Sequence, residues 1–289
     1  MKIHLVDGTY ELFRSHFGAP PKKSASGQEV GATLGLLRSL LMMLQSPDVT
    51  HVAVAFDHVI ESFRNKLYAG YKTGAGVDPI LMAQFPLAEK AVSALGVVVW
   101  PMVEFEADDA IATATARFKK HKSVEQIVIC SVDKDLTQMV DGERVVCWDR
   151  RREIILDEKG VVEKFGVKPE SIPDYLALVG DSADGYPGIQ GWGAKSTSTA
   201  LAKFKHIESI PKDPKKLPLG LGRATTLVEN LGQNYKDAML FRELSTLRAD
   251  VPLKETLKEL EWQGAYPRLR KLCQELREER IAERVTKWR

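Results

Sequence analysis

The chain has 289 residues, 44% of them hydrophobic, which is ordinary for a globular protein and sufficient for one large α/β domain or a domain with an appended module. A net charge of only +2 does not mark a nucleic-acid binder by itself, but Lys and Arg gather at Lys22–Lys23, Lys119–Lys122, Lys203–Lys216 and Arg268–Arg289. The three cysteines, Cys130, Cys147 and Cys273, lack CxxC or Cys/His spacing; so sparse and odd a set points to a reducing compartment.

Taken in chain order, residues 2–8 (KIHLVDG) read as a strand followed by a turn. Over 29–45 the apolar positions Val30, Leu34, Leu37, Leu40, Leu41 and Leu44 recur at helical spacing. Residues 51–57, 97–100 and 126–132 read as buried strands, with another at 144–149 near the sheet edge. The stretch 64–79, RNKLYAGYKTGAGVDP, is polar, basic and glycine-rich, and reads as a mobile segment ahead of a helix from Ile80 to Leu95. Alternating strands and helices predict an α/β fold with a mostly parallel sheet flanked by helices. After about residue 165 no convincing strand follows, so a helical lobe is expected there, broken by the turn-rich GDSADGYPGIQGWGAK at 180–195. The charged stretch from Arg268 onward reads as a helix-prone end that frays. The chain runs directly into its first strand, with no signal peptide and no bilayer-spanning apolar run, so a cytoplasmic protein without membrane partners is expected.

The informative residues are acids: Asp7, Asp57, Glu106, Asp108, Asp109, Asp133, Asp135, Asp181 and Asp184. Four of their contexts follow apolar runs: IHLVD, VAVAFD, IVICSVD and ALVGD. The C-terminal ends of parallel strands share one sheet edge, where ligands bind. Acids crowded on that edge repel, and hard divalent cations with oxygen ligands are the usual remedy. In EADD (106–109) one or two acids would simply favour the helix dipole. Three acids in four residues gain too little from it, so metal binding is the better account. In SVDKD (131–135) an Asp capping a helix that begins near Asp135 competes with metal ligation, and both can hold. Asp7 and Asp57 taken singly fit a turn as well as a ligand. The glycines at 185, 188, 191 and 193, with Lys195 and Ser196 beyond, could present backbone N–H groups to phosphates without reading sequence.

In order, VDG with Asp7, Phe56–Asp57, Phe63–Arg64, Tyr71–Lys72, EADD, DKDLTQ (133–138) and GDSADGYPGIQGWGAK resemble the 5′-nuclease superfamily. The likeness is greatest to the 5′→3′ exonuclease domain of bacterial DNA polymerase I and its stand-alone relatives, the flap endonucleases. It covers about residues 2–253, through NYKDAMLFRELSTLRADVPL at 234–253. The resemblance implies a PIN-like nuclease domain at 1–165, with a basic arch at about 64–85. It also implies a helical DNA-binding lobe at 166–289 with a helix-hairpin-helix motif at about 180–202. It implies two Mg²⁺ or Mn²⁺ ions: Asp7, Asp57 and Asp108 surround one, and Asp108, Asp133 and Asp135 the other. Glu106, Asp109, Asp181 and Asp184 bind through water or form the outer shell. Lys72 and Arg64 steer the scissile phosphate. Tyr71, Gly188, Gly191, Gly193, Lys195 and Ser196 contact DNA, and the hairpin holds K⁺. The implied substrate is DNA with 5′ flaps or 5′ ends, and the implied state is a monomer.

The chain departs from the family pattern at YKTGAG, where YKANR is usual, at Ala183-Asp184-Gly185, and at GWGAKST with Trp192 and Ser196. These changes bear on grip and substrate preference, since every acid is kept. A PIN-type ribonuclease would need the acids but not the glycine hairpin. A catalytically dead DNA-binding protein would have lost ligating acids, and none is lost.

Overall fold

The computed structural model describes residues 1–289, which fall into two compact units. Met1–Ile60, Gly74–Val132 and Ala249–Arg289 make the first; Glu61–Thr73 and Asp133–Arg248 make the second. The chain beyond Arg248 packs with the first unit.

The first unit carries β1 (Lys2–Asp7), β2 (His51–Asp57), β3 (Val98–Met102) and β4 (Gln126–Cys130), parallel and ordered β3-β2-β1-β4. β1 and β2 are buried almost throughout, as expected of strands covered on both faces. The register sets Asp7 beside Ala55 and Asp57 beside Met102, so the carboxylates ending β1 and β2 share the C-terminal edge. No turn follows β1, contrary to the expectation. The chain enters the helix Gly8–Gly18 at once, with Asp7 Oδ1 accepting the Tyr10 N–H at 2.8 Å. Gly8 permits this, because a Cβ there would lie 2.6 Å from Val54 Cγ1 and 2.7 Å from the Ala55 carbonyl.

The helix Gly31–Leu44 buries the predicted Leu34, Leu37, Leu40, Leu41 and Leu44. The helix expected over Ile80–Leu95 is two pieces, Pro79–Met82 and Phe85–Ala94. Proline in the first turn of each explains the division: without an N–H it starts helices but does not continue them. The predicted fraying end is instead tied down. Trp262 donates its backbone N–H to the Thr50 carbonyl and its indole N–H to the Leu95 carbonyl, 2.8 and 2.9 Å. Ala265 bridges the chain near Trp288, and two short helices, Arg268–Glu275 and Glu279–Glu283, lie between.

The second unit pairs β5 (Val145–Asp149) antiparallel with β6 (Ile154–Leu156). Neither polar alternation nor burial signals β6, whose Ile154 and Ile155 are exposed, and the sequence reading misses it. The rest is helical: Glu158–Phe165, Ile172–Val179, Ala194–Phe204, Leu221–Gln233 and Tyr235–Ser245. Residues 64–79 are not uniformly irregular either. Arg64–Leu67 form a helical turn, and Arg64 is one of the largest fully buried side chains. No helix of the chain is long and apolar enough to cross a membrane.

Candidate functional site

In the first unit the acids stand where the strands end. Asp7 is buried, with Oδ1 capping the following helix and Oδ2 accepting the Ser131 hydroxyl at 2.8 Å. The Asp57 N–H donates to Thr9 Oγ1, and its Oδ1 accepts the Ala107 N–H at 2.7 Å. That bond draws the first turn of the helix Ala107–Phe118, which carries Asp108, to the end of β2. Glu106 and Asp109 form a reciprocal capping box, Asp109 Oδ2 accepting the Glu106 N–H at 3.0 Å. Asp109 has no exposed surface at all. Two of the four residues of EADD therefore begin the helix, and Asp108, only half-buried, is the most open of the three acids.

In the second unit Asp135, Asp181 and Asp184 converge: one carboxylate oxygen from each lies within 4.8 Å of the others, and all three residues are buried. Two segments deliver them. Asp133 Oδ1 accepts the Asp135 N–H at 2.8 Å, closing the turn into the 3₁₀ helix Asp135–Met139. Asp133 itself is exposed and is not one of the three converging acids. Asp181 follows Gly180, which ends the helix Ile172–Val179, and bridges back to Tyr186 to form a hairpin. Asp184 sits inside that hairpin, and its carbonyl accepts the Lys72 N–H at 2.9 Å.

Burial, together with the charges of Asp133, Asp184 and Asp181, pushes the Asp135 carboxyl well above the ordinary carboxylate range, with Lys72 opposing. Asp135 Oδ1 is buried without a hydrogen-bond partner. An orphaned carboxylate oxygen facing two further buried acids fits a hard divalent cation, which would satisfy the oxygen and offset the repulsion.

Lys72 Nζ lies 3.0 Å from Asp184 Oδ1, at the rim of this cluster. Lys134, to which the sequence reading assigns no role, pairs with Asp181 at 2.8 Å. Burial opposes charging Lys134, but its hydrogen bond to Asp181 and the charges of Asp181, Asp135 and Asp133 prevail and raise its pKa. The only signal in the sequence is its place between two acids. Arg64 does not present its guanidinium to solvent: Nε donates to the Leu244 carbonyl at 2.7 Å and a terminal nitrogen to the Thr246 carbonyl at 3.2 Å. Tyr71 is buried as well.

The hairpin glycines divide into two kinds. A Cβ on Gly188 (φ +72°) would lie 2.4 Å from the Gly180 nitrogen, so this glycine permits close backbone packing. Gly193, at the start of the helix Ala194–Phe204, faces open space, and Lys195 beside it is exposed. Gly191 (φ +86°) is held in the left-handed region with only Leu227 and Asn230 side-chain atoms nearby. Ser196 is buried and accepts from Arg223 Nε at 3.0 Å. Trp192, a departure from the family pattern, is buried and donates its indole N–H to the Leu227 carbonyl at 3.0 Å. It pins the hairpin to the helix Leu221–Gln233.

Solved structures share this architecture. The T5 D15 protein co-crystallised with metal ions superposes with a TM-score of 0.68 at 18% identity, over 85% of this chain and 89% of that one. The catalytic core of Rad2 in complex with DNA superposes with a TM-score of 0.62 at 15% identity, over 98% and 90%. At such identity they establish the fold: a PIN-like mostly parallel sheet with flanking helices, and a helical C-terminal part. In sequence, residues 2–166 match the N-terminal resolvase-like domain of 5′-3′ exonucleases, and 167–268 match their C-terminal SAM fold. The 5′-3′ exonuclease of Aquifex aeolicus is 33% identical over 96% of this chain and 91% of its own length. DNA polymerase I of Bacillus caldotenax is 30% identical over 91% of this chain, which spans only 30% of that longer protein. With residues 2–166 and 167–268 matching the two family domains in succession, the chain belongs to the 5′-3′ exonuclease family and is a hydrolytic 5′ nuclease.

Proposed function

We propose that the protein hydrolyses DNA phosphodiester bonds at 5′ ends and 5′ flaps with two divalent cations, Mg²⁺ or Mn²⁺. The observation that carries this reading is the buried cluster of Asp135, Asp181 and Asp184 with the unpartnered Asp135 oxygen. These three residues would hold one ion, and Asp7, Asp57 and Asp108 the other, with Glu106, Asp109 and Asp133 shaping the turns that present them. Bound ions would supply Lewis-acid stabilisation of charge developing on the phosphoryl oxygens. The Lys72 ammonium would add positive charge beside the ion held by the second unit's acids. Arg64 would act by holding the loop that carries Tyr71 and Lys72, through its bonds to Leu244 and Thr246.

Duplex backbone would lie on the open face at Gly191, Gly193 and Lys195, and K⁺ would bind carbonyls of the same hairpin. In this reading residues 1–165, with Asp181 and Asp184 from the hairpin, serve the chemistry, with an arch at 64–85, and 166–289 otherwise grip DNA through the motif at 180–202. The protein would act as a cytoplasmic monomer. The test is a 5′-labelled flap duplex incubated with Mg²⁺, Mn²⁺ or EDTA, beside a structured RNA, with products sized on a gel. Metal-dependent release of the 5′ strand from DNA is expected. Cleavage that persists in EDTA, or that is confined to RNA, refutes the reading.

A further inference from the structure

The acid cluster of the second unit comes with its own cations. Each Asp181 oxygen has a partner within that unit: Oδ1 accepts the Ala183 N–H at 2.9 Å, and Oδ2 lies 2.8 Å from Lys134 Nζ. The base of the Lys134 side chain is fixed, because the Lys134 carbonyl accepts the Thr137 N–H at 3.1 Å and the Thr137 hydroxyl as well. Its far end reaches solvent: the side chain is 36% exposed, and its ammonium, paired with Asp181, sits on a flexible four-carbon stem. A divalent cation that uses Asp181 must share or displace this ammonium.

We propose that Lys134 is a built-in counter-cation of the acid cluster. It neutralises Asp181 when no metal is bound and competes with the divalent ion for that carboxylate, so that it sets the affinity of the site. The inference rests on the reading of the cluster as a metal site. Three buried carboxylates repel strongly unless positive charge lies among them. A compact, swinging ammonium can fill that place and then leave. A guanidinium, planar and bidentate, would hold the carboxylate more firmly. Lys134 thus differs from a residue that merely orients a ligand, whose loss weakens metal binding. Loss of a competitor strengthens it.

The experiment uses the full chain and Mn²⁺, with free ion followed by electron paramagnetic resonance and Tm measured with and without EDTA. Lys134→Met keeps the stem and removes the charge. It should bind Mn²⁺ about two- to fivefold more tightly than wild type, the scale of a partly exposed ion pair. Its Tm in EDTA should fall below wild type, and its rise in Tm on adding Mn²⁺ should be larger. Lys134→Arg should bind Mn²⁺ no better than wild type. Equal or weaker Mn²⁺ binding by Lys134→Met overturns the inference while leaving the metal site in place. If that variant does not fold in EDTA, tighter binding by Lys134→Arg than by wild type overturns it instead. Wild-type protein that binds no Mn²⁺ overturns both this inference and the reading of the cluster beneath it.

Discussion

Gly188 and Gly193, five residues apart in one hairpin, should respond oppositely to the same methyl group. At Gly188 the backbone is left-handed (φ +72°), and an added Cβ would stand 2.4 Å from the Gly180 nitrogen, 2.5 Å from the Val179 carbonyl carbon and 2.6 Å from the Leu178 oxygen. All three neighbours are backbone at the end of the helix Ile172–Val179, so none can swing aside. The left-handed conformation alone costs a residue with a Cβ about 1–2 kcal/mol. Forcing packed backbone apart adds about 1–3 kcal/mol. Gly188→Ala should therefore lose roughly 2–5 kcal/mol of stability, carried by the two terms together. At Gly193 φ is −84° and nothing lies within 4 Å of the added Cβ. Gly193→Ala should cost no more than about 1 kcal/mol, the scale of a weakened helix cap. Its duplex affinity should fall nonetheless, because the methyl group would stand between the backbone and an approaching phosphate. Urea titrations give the stabilities, and fluorescence anisotropy with a labelled duplex gives the affinities. A Gly188→Ala protein within about 0.5 kcal/mol of wild type, the range of an inconsequential surface change, refutes the packing argument. Wild-type affinity in Gly193→Ala removes this face from the DNA-binding surface.

Asp135→Asn should lower turnover on a flap substrate by orders of magnitude, and in EDTA it should raise Tm, since one of three repelling buried charges is gone; a fall in Tm would show that repulsion does not dominate there. Arg64→Met should destabilise the protein in urea titration by about 1–3 kcal/mol for each of the Leu244 and Thr246 carbonyls that it leaves without this donor; near wild-type stability would return Arg64 to a substrate-facing role. Trp192→Phe should cost about 0.5–1.5 kcal/mol through the lost indole hydrogen bond to the Leu227 carbonyl, which keeps its place in the helix Leu221–Gln233, read in the same titration. Burial pushes the Cys273 thiol up to about 11, so at pH 8 iodoacetamide should label it only on unfolding; rapid labelling of the native protein, followed by mass spectrometry, would contradict the packing of the C-terminal helices.

The parallel strands are legible in the sequence because each is an apolar run that ends in a turn signal, and burial on both faces is what such runs require. β6 escapes notice for the opposite reason. Its three residues carry exposed Ile154 and Ile155, and only pairing with β5 makes them a strand. Gly8 shows how a local reading fails in another way. Glycine after Val-Asp reads as a turn, but here it lets the next helix come within contact of Val54 and Ala55 on β2, a neighbour more than forty residues away. The C-terminal stretch misleads similarly: its charges suggest fraying from Arg268 onward, yet Leu269, Leu272, Cys273 and Ile281 are buried between those charges.

At the candidate site the acids are legible and their partners are not. Carboxylates crowded after apolar runs pose an electrostatic problem that a single sequence displays. Its solution depends on which cations and N–H groups the fold brings near. Asp109 is spent on a capping box, a local role that its spacing from Glu106 allows but does not separate from ligation. Asp181 and Asp184, which the family pattern places in an outer shell, converge with Asp135 because the hairpin folds back through the Asp181–Tyr186 bridge. Arg64 and Lys72 look alike as basic residues flanking one loop. Burial divides them: the Arg64 guanidinium bonds two carbonyls inside the unit, whereas the Lys72 ammonium lies at the rim of the acid cluster, 3.0 Å from Asp184. A local acid or base motif thus names the charges present, and tertiary hydrogen bonds determine which of them remain available for chemistry.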